Sequence, residues 1–200
     1  MSTLSSPLHL DPTKTALLVM DYQHFILQNN VAAERHAEVI GKTAQLLAAA
    51  RAAKMTVVYV MVGFRTGHPE VSARNRIFSA IKANGVLMLD QPATAIHPDV
   101  APQDGEAVVV KKRIGAFSGT DMQTLLRSAN IDTLVLAGVT TSGVVLSTTR
   151  QAFDLDYRVV IARDCCPDPD GEVEQVLLDK VLTRNADIVR SQDVLAALSA

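Results

Sequence analysis

The chain has 200 residues, 48% apolar and 20% charged, a globular balance with enough length to bury a full core without disulfide or metal staples. A net charge of −2 with no basic run beyond Lys111-Lys112-Arg113 argues against a nucleic-acid partner. Apolar runs no longer than a strand argue against a membrane span. Residues Met1 to Leu10 lack the charged-then-apolar order of a secretory leader, and the adjacent Cys165 and Cys166 cannot build a disulfide framework, so the expected compartment is the reducing cytoplasm.

Strand-like and helical patterns alternate along the chain, as in βα units on a parallel sheet. Thr15 to Asp21 reads as a first strand, its near-continuous apolar run suited to burial on both faces. A long alanine-rich helix follows over Ala32 to Ala53, then a second strand over Thr56 to Val62. Gly63 to Pro102 is irregular, with one short helix near Asn75 to Ala83; long irregular segments in compact domains tend to carry function. Ala107 to Lys111 is a third strand, and Thr120 to Ala129 a helix with Ser118 or Thr120 as N-cap. Asp132 to Val139 is a fourth strand, Ser142 to Leu155 a helix and Tyr157 to Arg163 a fifth strand. A helix over Asp170 to Asn185, a short strand over Ala186 to Arg190 and a helix over Gln192 to Leu198 complete the chain. The expected fold is one α/β domain over residues 1–200: three layers, α/β/α, around an open, mainly parallel, six-stranded Rossmann-like sheet.

Ligands of open parallel sheets bind outside the carboxyl ends of the strands. There the sequence places Asp21, Gly63-Phe64-Arg65, Lys111 and Gly138-Val139-Thr140-Thr141. Alone, Asp21 suits a turn after a strand and Lys111 a strand end reaching solvent. Together, a carboxylate and an ammonium at neighbouring strand ends hold each other ionised and suit proton transfer. The turn after the fourth strand opens a helix, whose amides, with Thr140 and Val144 the candidates, can face a developing negative charge; its glycines suit a tight turn with positive φ. The histidines at 9, 24, 36, 68 and 97 are scattered without ligand spacing, so no metal is expected. Gly41-Lys42-Thr43 lies within a helix and is no phosphate loop. Cys165 and Cys166 read as small, semi-buried turn residues.

Three blocks, Leu17-Leu-Val-Met-Asp21-Tyr-Gln, Val110-Lys111-Lys-Arg-Ile-Gly-Ala-Phe117 and Leu134-Val-Leu-Ala-Gly138-Val139-Thr-Thr, stand in order and resemble the isochorismatase-like (cysteine hydrolase) superfamily over about residues 13–190. The resemblance gives Asp21 and Lys111 the family's active-site aspartate and lysine, and puts Val144 where most members carry a nucleophilic cysteine. Valine offers neither lone pair nor proton, which argues against covalent amidase chemistry. Isochorismatases proper also lack the cysteine, and the resemblance implies their route: protonation by the aspartate followed by addition of water. The loop Gly63 to Arg76 does not match their substrate loop.

The leading expectation is therefore a hydrolase of a small, possibly anionic metabolite, using Asp21 and Lys111 without cofactor. Phe64, Phe117 and Val144 would wall its pocket, Thr140 would border it, and Arg65, Arg74 or Arg76 would meet the substrate's charge. The alternative is a non-catalytic member binding a small molecule in the inherited pocket. A scaffold valued for its interface is a third reading with nothing specific in its favour. The resemblance also implies a homo-oligomer, a dimer or tetramer.

Overall fold

The computed structural model describes residues 8–199; the expectation about the leader falls mostly on residues outside these. Six strands form one parallel sheet: β1 Thr15–Met20, β2 Thr56–Val62, β3 Ala107–Lys111, β4 Thr133–Gly138, β5 Arg158–Ala162 and β6 Asp187–Val189, in the order β3-β2-β1-β4-β5-β6. The helices are α1 His24–Asn30, α2 Ala33–Ala52, α3 Arg76–Ala83, α4 Met122–Ser128, α5 Leu146–Asp154, α6 Gly171–Val176 and α7 Ser191–Leu198.

All six residues of β1 are buried, because alternate side chains enter two different cores. Leu17 and Val19 pack with Val39, Leu46 and Leu47 of α2 and Val194 of α7. Ala16, Leu18 and Met20 pack on the opposite face with Met122 and Leu126 of α4 and Ala152 of α5. A third, smaller cluster of Val62, Phe64, Phe78 and Leu87, flanked by Phe25, Ile81 and Ile114, lies beyond the ends of β1 and β2. The three-layer expectation is met.

Differences from the sequence reading lie at element ends and in one added helix. α1 was not anticipated: it is seven residues long, and its N-cap Gln23 makes no side-chain capping bond, so the local sequence carries no start signal. Asp121, not Ser118 or Thr120, stands at the N-cap position of α4 but makes no side-chain capping bond; the Thr120 hydroxyl accepts from the Met122 amide at 3.4 Å and donates to the Ala116 carbonyl at 2.6 Å. The helix expected from Ser142 opens as a widened, π-type turn over Thr141–Val145 before α5 proper. The long C-terminal helix is likewise divided, α6 passing into a π-type turn at Leu177–Val181. Asn75 caps α3 as a helix start should, its side chain accepting from the Phe78 amide at 3.1 Å.

Gly138 and Gly143 do not have the positive φ expected of them; the positive-φ glycines are Gly67, Gly85, Gly105 and Gly119. Close approach is the reason instead: a Cβ on Gly138 would lie 3.1 Å from Met20 and Val145, and one on Gly143 only 2.9 Å from the Thr140 hydroxyl.

Candidate active site

The strand order reverses between β1 and β4, and the crevice outside their carboxyl ends is where open α/β sheets bind ligands. A cleft of about 320 Å³ opens there, at the small end of the usual range for ligand pockets. Asp21 and Lys111 line it, as do Thr140 and Val144.

Asp21 leaves β1 with φ of 59°, the left-handed region that Asp tolerates better than most side chains. Gln23, fully buried, fixes the backbone beyond it. Its side-chain nitrogen donates to the Val62 and Thr94 carbonyls at 2.8 and 2.6 Å, and its oxygen accepts from the Val62 amide at 2.9 Å. Lys111 comes from the end of β3, which is next but one to β1, not its neighbour as the sequence reading had it. The two side chains nevertheless meet beyond the end of β2, with Lys111 Nζ 2.8 Å from Asp21 Oδ2 and both nearly inaccessible to water. Lys111 Nζ also donates to the Arg113 carbonyl at 3.2 Å.

The second carboxylate oxygen, Asp21 Oδ1, is buried and has no hydrogen-bond partner among the described residues. Burial pushes the Asp21 carboxyl above its ordinary value, against the opposing pull of the Lys111 ammonium and of the nearby Val62 amide. The pair can therefore hold a proton on one carboxyl oxygen while the other stays fixed by the lysine.

The turn after β4 has already assigned most of its amides. Thr141 N–H donates to the Pro167 carbonyl at 3.0 Å, Ser142 N–H to Asp168 Oδ2 at 2.7 Å, and Gly143 N–H to the Thr140 hydroxyl at 3.1 Å. A carboxylate of the protein itself thus sits at this helix start, where an anion would otherwise be favoured. Asp168 is steadied in turn: its amide donates to Glu174, which pairs with Arg35 at 3.1 Å.

Several residues nominated from the sequence lie elsewhere. Phe64 does not line the cleft; it is buried behind it against Phe78, the ring centroids 5.5 Å apart. Phe117 packs on the far core against Tyr157, with centroids 6.0 Å apart. Arg65 is exposed and paired with Glu70 at 2.7 Å, and Arg74 and Arg76 are exposed; among the described residues no arginine lines the cleft. Cys165 and Cys166 are fully buried and do not line the cleft. Burial pushes the Cys165 thiol up to about 12 and the Cys166 thiol well above its usual range. Lys42, of the rejected phosphate-loop pattern, pairs with Glu38 at 2.6 Å on α2.

The cleft wall that sequence reasoning missed comes from α1, α3 and the loop after β3: Phe25 and Ile26, Ile77, Phe78 and Ile81, and Ile114. The available signal was the helical spacing of Ile77, Phe78 and Ile81, which placed apolar residues on one face of α3 without showing what that face covers.

The match to the isochorismatase domain family runs over residues 15–193. The chain belongs to the isochorismatase family. An uncharacterized isochorismatase family protein of Escherichia coli O157:H7, YecD, is 30% identical over 96% of this chain and 100% of its own length. The ureidoacrylate amidohydrolase RutB of Stutzerimonas stutzeri is 30% identical over 84% of this chain and 76% of its own. Among solved structures, an isochorismatase family protein from Burkholderia thailandensis superposes with a TM-score of 0.83 at 28% identity, covering 98% of this chain and all of that one, at 100%. These relatives agree with the α/β architecture, and they include amidohydrolases.

Proposed function

We propose that this isochorismatase-family chain is a hydrolase that works by acid–base chemistry on a small metabolite, with Asp21 as proton donor and Lys111 as the partner that orients it. The observation that carries this reading is the divided carboxyl at the base of the cleft: Oδ2 held by Lys111, Oδ1 buried and unpartnered. An unsatisfied buried oxygen is costly unless a proton or a ligand completes it. With the carboxyl pushed toward its protonated form, Oδ1 can deliver a proton to the leaving atom of a bound substrate. Water then supplies hydroxide to the carbon whose bond has broken, and its second proton restores Asp21. One water is consumed, and both products leave with their hydrogens accounted for.

Val144 supports a route without a covalent intermediate. We assign it to the position of the family's cysteine, on the resemblance and on its place in the cleft wall after β4. Both cysteines of the chain lie buried away from the cleft. The hydrolase activity named in relatives such as ureidoacrylate amidohydrolase supports the reaction class, while Val144 separates this chain from covalent amidase chemistry.

The second reading, a binding protein without turnover, is favoured by one fact: a carboxylate of the protein itself, Asp168, already takes the Ser142 amide at the helix start after β4, although the Thr140 and Val144 amides are not among the bonded ones. A panel of vinyl ethers, esters and amides assayed with the wild type and Asp21→Asn distinguishes the two. Hydrolysis of at least one class, lost in Asp21→Asn, supports the enzyme. Ligand-induced thermal stabilisation with no turnover of any class supports the binding protein.

A further inference from the structure

The cleft's composition specifies its occupant more narrowly than the sequence did. Resting on the assignment of this cleft as the substrate site, we infer that the substrate is uncharged, with an apolar body and one polar group at the end that meets Asp21.

Three observations carry this. First, among the described residues Asp21 and Lys111 are the only charged ones lining the cleft, and at 2.8 Å they are paired with each other. A substrate carboxylate would lie beside the Asp21 carboxyl and find no cation of its own, because Lys111 Nζ is already held by Asp21 Oδ2 and the Arg113 carbonyl. The arginines that were to meet such a charge do not line the cleft. Second, the wall leading down to the pair is apolar, built from Phe25, Ile26, Ile77, Ile81 and Ile114. Third, the polar residues of α1 offer acceptors. Asn29 and Asn30 turn their amide nitrogens back to the Phe25 and Ile26 carbonyls, at 2.7 and 2.8 Å. Their side-chain oxygens take no hydrogen bond among the described residues. Free amide oxygens at the edge of a cleft can accept from a neutral donor such as an amide or a hydroxyl.

Helix α3 is the specificity element. Ile77 is 55% exposed at the lip of the cleft, so its side chain meets both solvent and anything that enters. Each methylene that an occupant buries against this wall tightens binding about fourfold, until the cleft is full.

Hexanamide and hexanoate are matched in shape and differ in charge. Their affinities at pH 8 are read from the isoleucine δ1-methyl NMR signals of the whole protein. Ile26, Ile77, Ile81 and Ile114 report on the cleft, while Ile131 and Ile188, outside it, serve as internal controls. The expected result is hexanamide binding at least fivefold more tightly than hexanoate, with shifts confined to the four cleft methyls. Butyramide, two methylenes shorter, should bind about fifteenfold more weakly than hexanamide. Ile77→Lys, a change at an exposed position, should narrow or reverse the amide preference by placing an ammonium at the lip. A preference below fivefold, tighter binding of hexanoate, or no shift at the cleft methyls with either compound overturns the inference. The hydrolase reading fails separately, if the amide preference holds but Asp21→Asn leaves turnover of the substrate panel unchanged.

Discussion

The proposed chemistry turns on Asp21, and its surroundings explain why a carboxylate stands there. A left-handed backbone at the end of β1 is tolerated by aspartate, and Lys111 reaches it from beyond β2. The positions of both residues were legible in the sequence, because a polar residue closing a buried apolar strand has few places to go except the rim of the sheet, whereas their roles came from the family resemblance. The arginines were misplaced for the opposite reason: Arg65, Arg74 and Arg76 belong to a loop and a helix start whose direction no local pattern fixes. Val144 offers a test at the same scale. Substituting Val144→Cys puts a thiol in the wall of the cleft that Lys111 also lines, where a cation lowers thiol pKa, whereas burial disarms Cys165 and Cys166. Peptide mapping after brief iodoacetamide treatment at pH 7.5 should show residue 144 labelled at least about tenfold faster than the native pair. Labelling no faster than the native pair would mean that the cleft does not activate a nucleophile at this position.

Among the elements, the strands were the most readable and the turn after β4 the least. Thr15 to Met20, with all its residues buried, and the alternation of β2 between two cores leave little choice of register. The turn at Thr141–Val145 is shaped from a distance: Pro167 and Asp168, more than twenty residues later, take its first two amides. No window of local sequence contains that information. α1 was hidden because it is short and uncapped, and with it went Phe25 and Ile26 of the cleft wall. Asp168 should therefore matter to stability beyond its own contacts. Asp168→Ala leaves the Ser142 amide without its partner and should cost about 1–3 kcal/mol in urea unfolding. Hydrogen exchange at Thr141 and Ser142 should accelerate more than exchange in β1. A loss below about 0.5 kcal/mol would show that the turn holds its shape without Asp168.

At the scale of the whole molecule, the sheet order places the end of β1 beside the end of β4, bringing an acid from the first block of sequence to a turn from the third. None of the described helices is long and apolar enough to cross a membrane. No cluster of three or more His, Cys, Asp or Glu able to hold a metal occurs among the described residues. From the family resemblance we propose a homo-oligomer, a dimer or tetramer, with an interface above about 1,000 Å² in total. Light scattering at micromolar concentration should return a multiple of the 21.5 kDa chain mass, and a monomer would contradict the proposal.

Proton delivery by Asp21 remains the central claim, and linkage fixes the sign of its pH dependence. A carboxyl raised in the folded protein binds its proton more tightly than in the unfolded chain. Its contribution to stability is fully present below the ordinary carboxylate value and is lost as pH rises through the raised one. Activity that needs the protonated acid declines over that same rise. The decisive measurement is kcat/KM for a hydrolysed member of the panel, from pH 5 to 9, in the wild type and in Asp21→Asn. The account predicts a wild-type profile that falls as pH increases, and an Asp21→Asn profile that lacks this limb and lies about 10²–10⁴-fold lower at the acid end. A wild-type rate that climbs with pH, or an Asp21→Asn enzyme within tenfold of wild type, would contradict it.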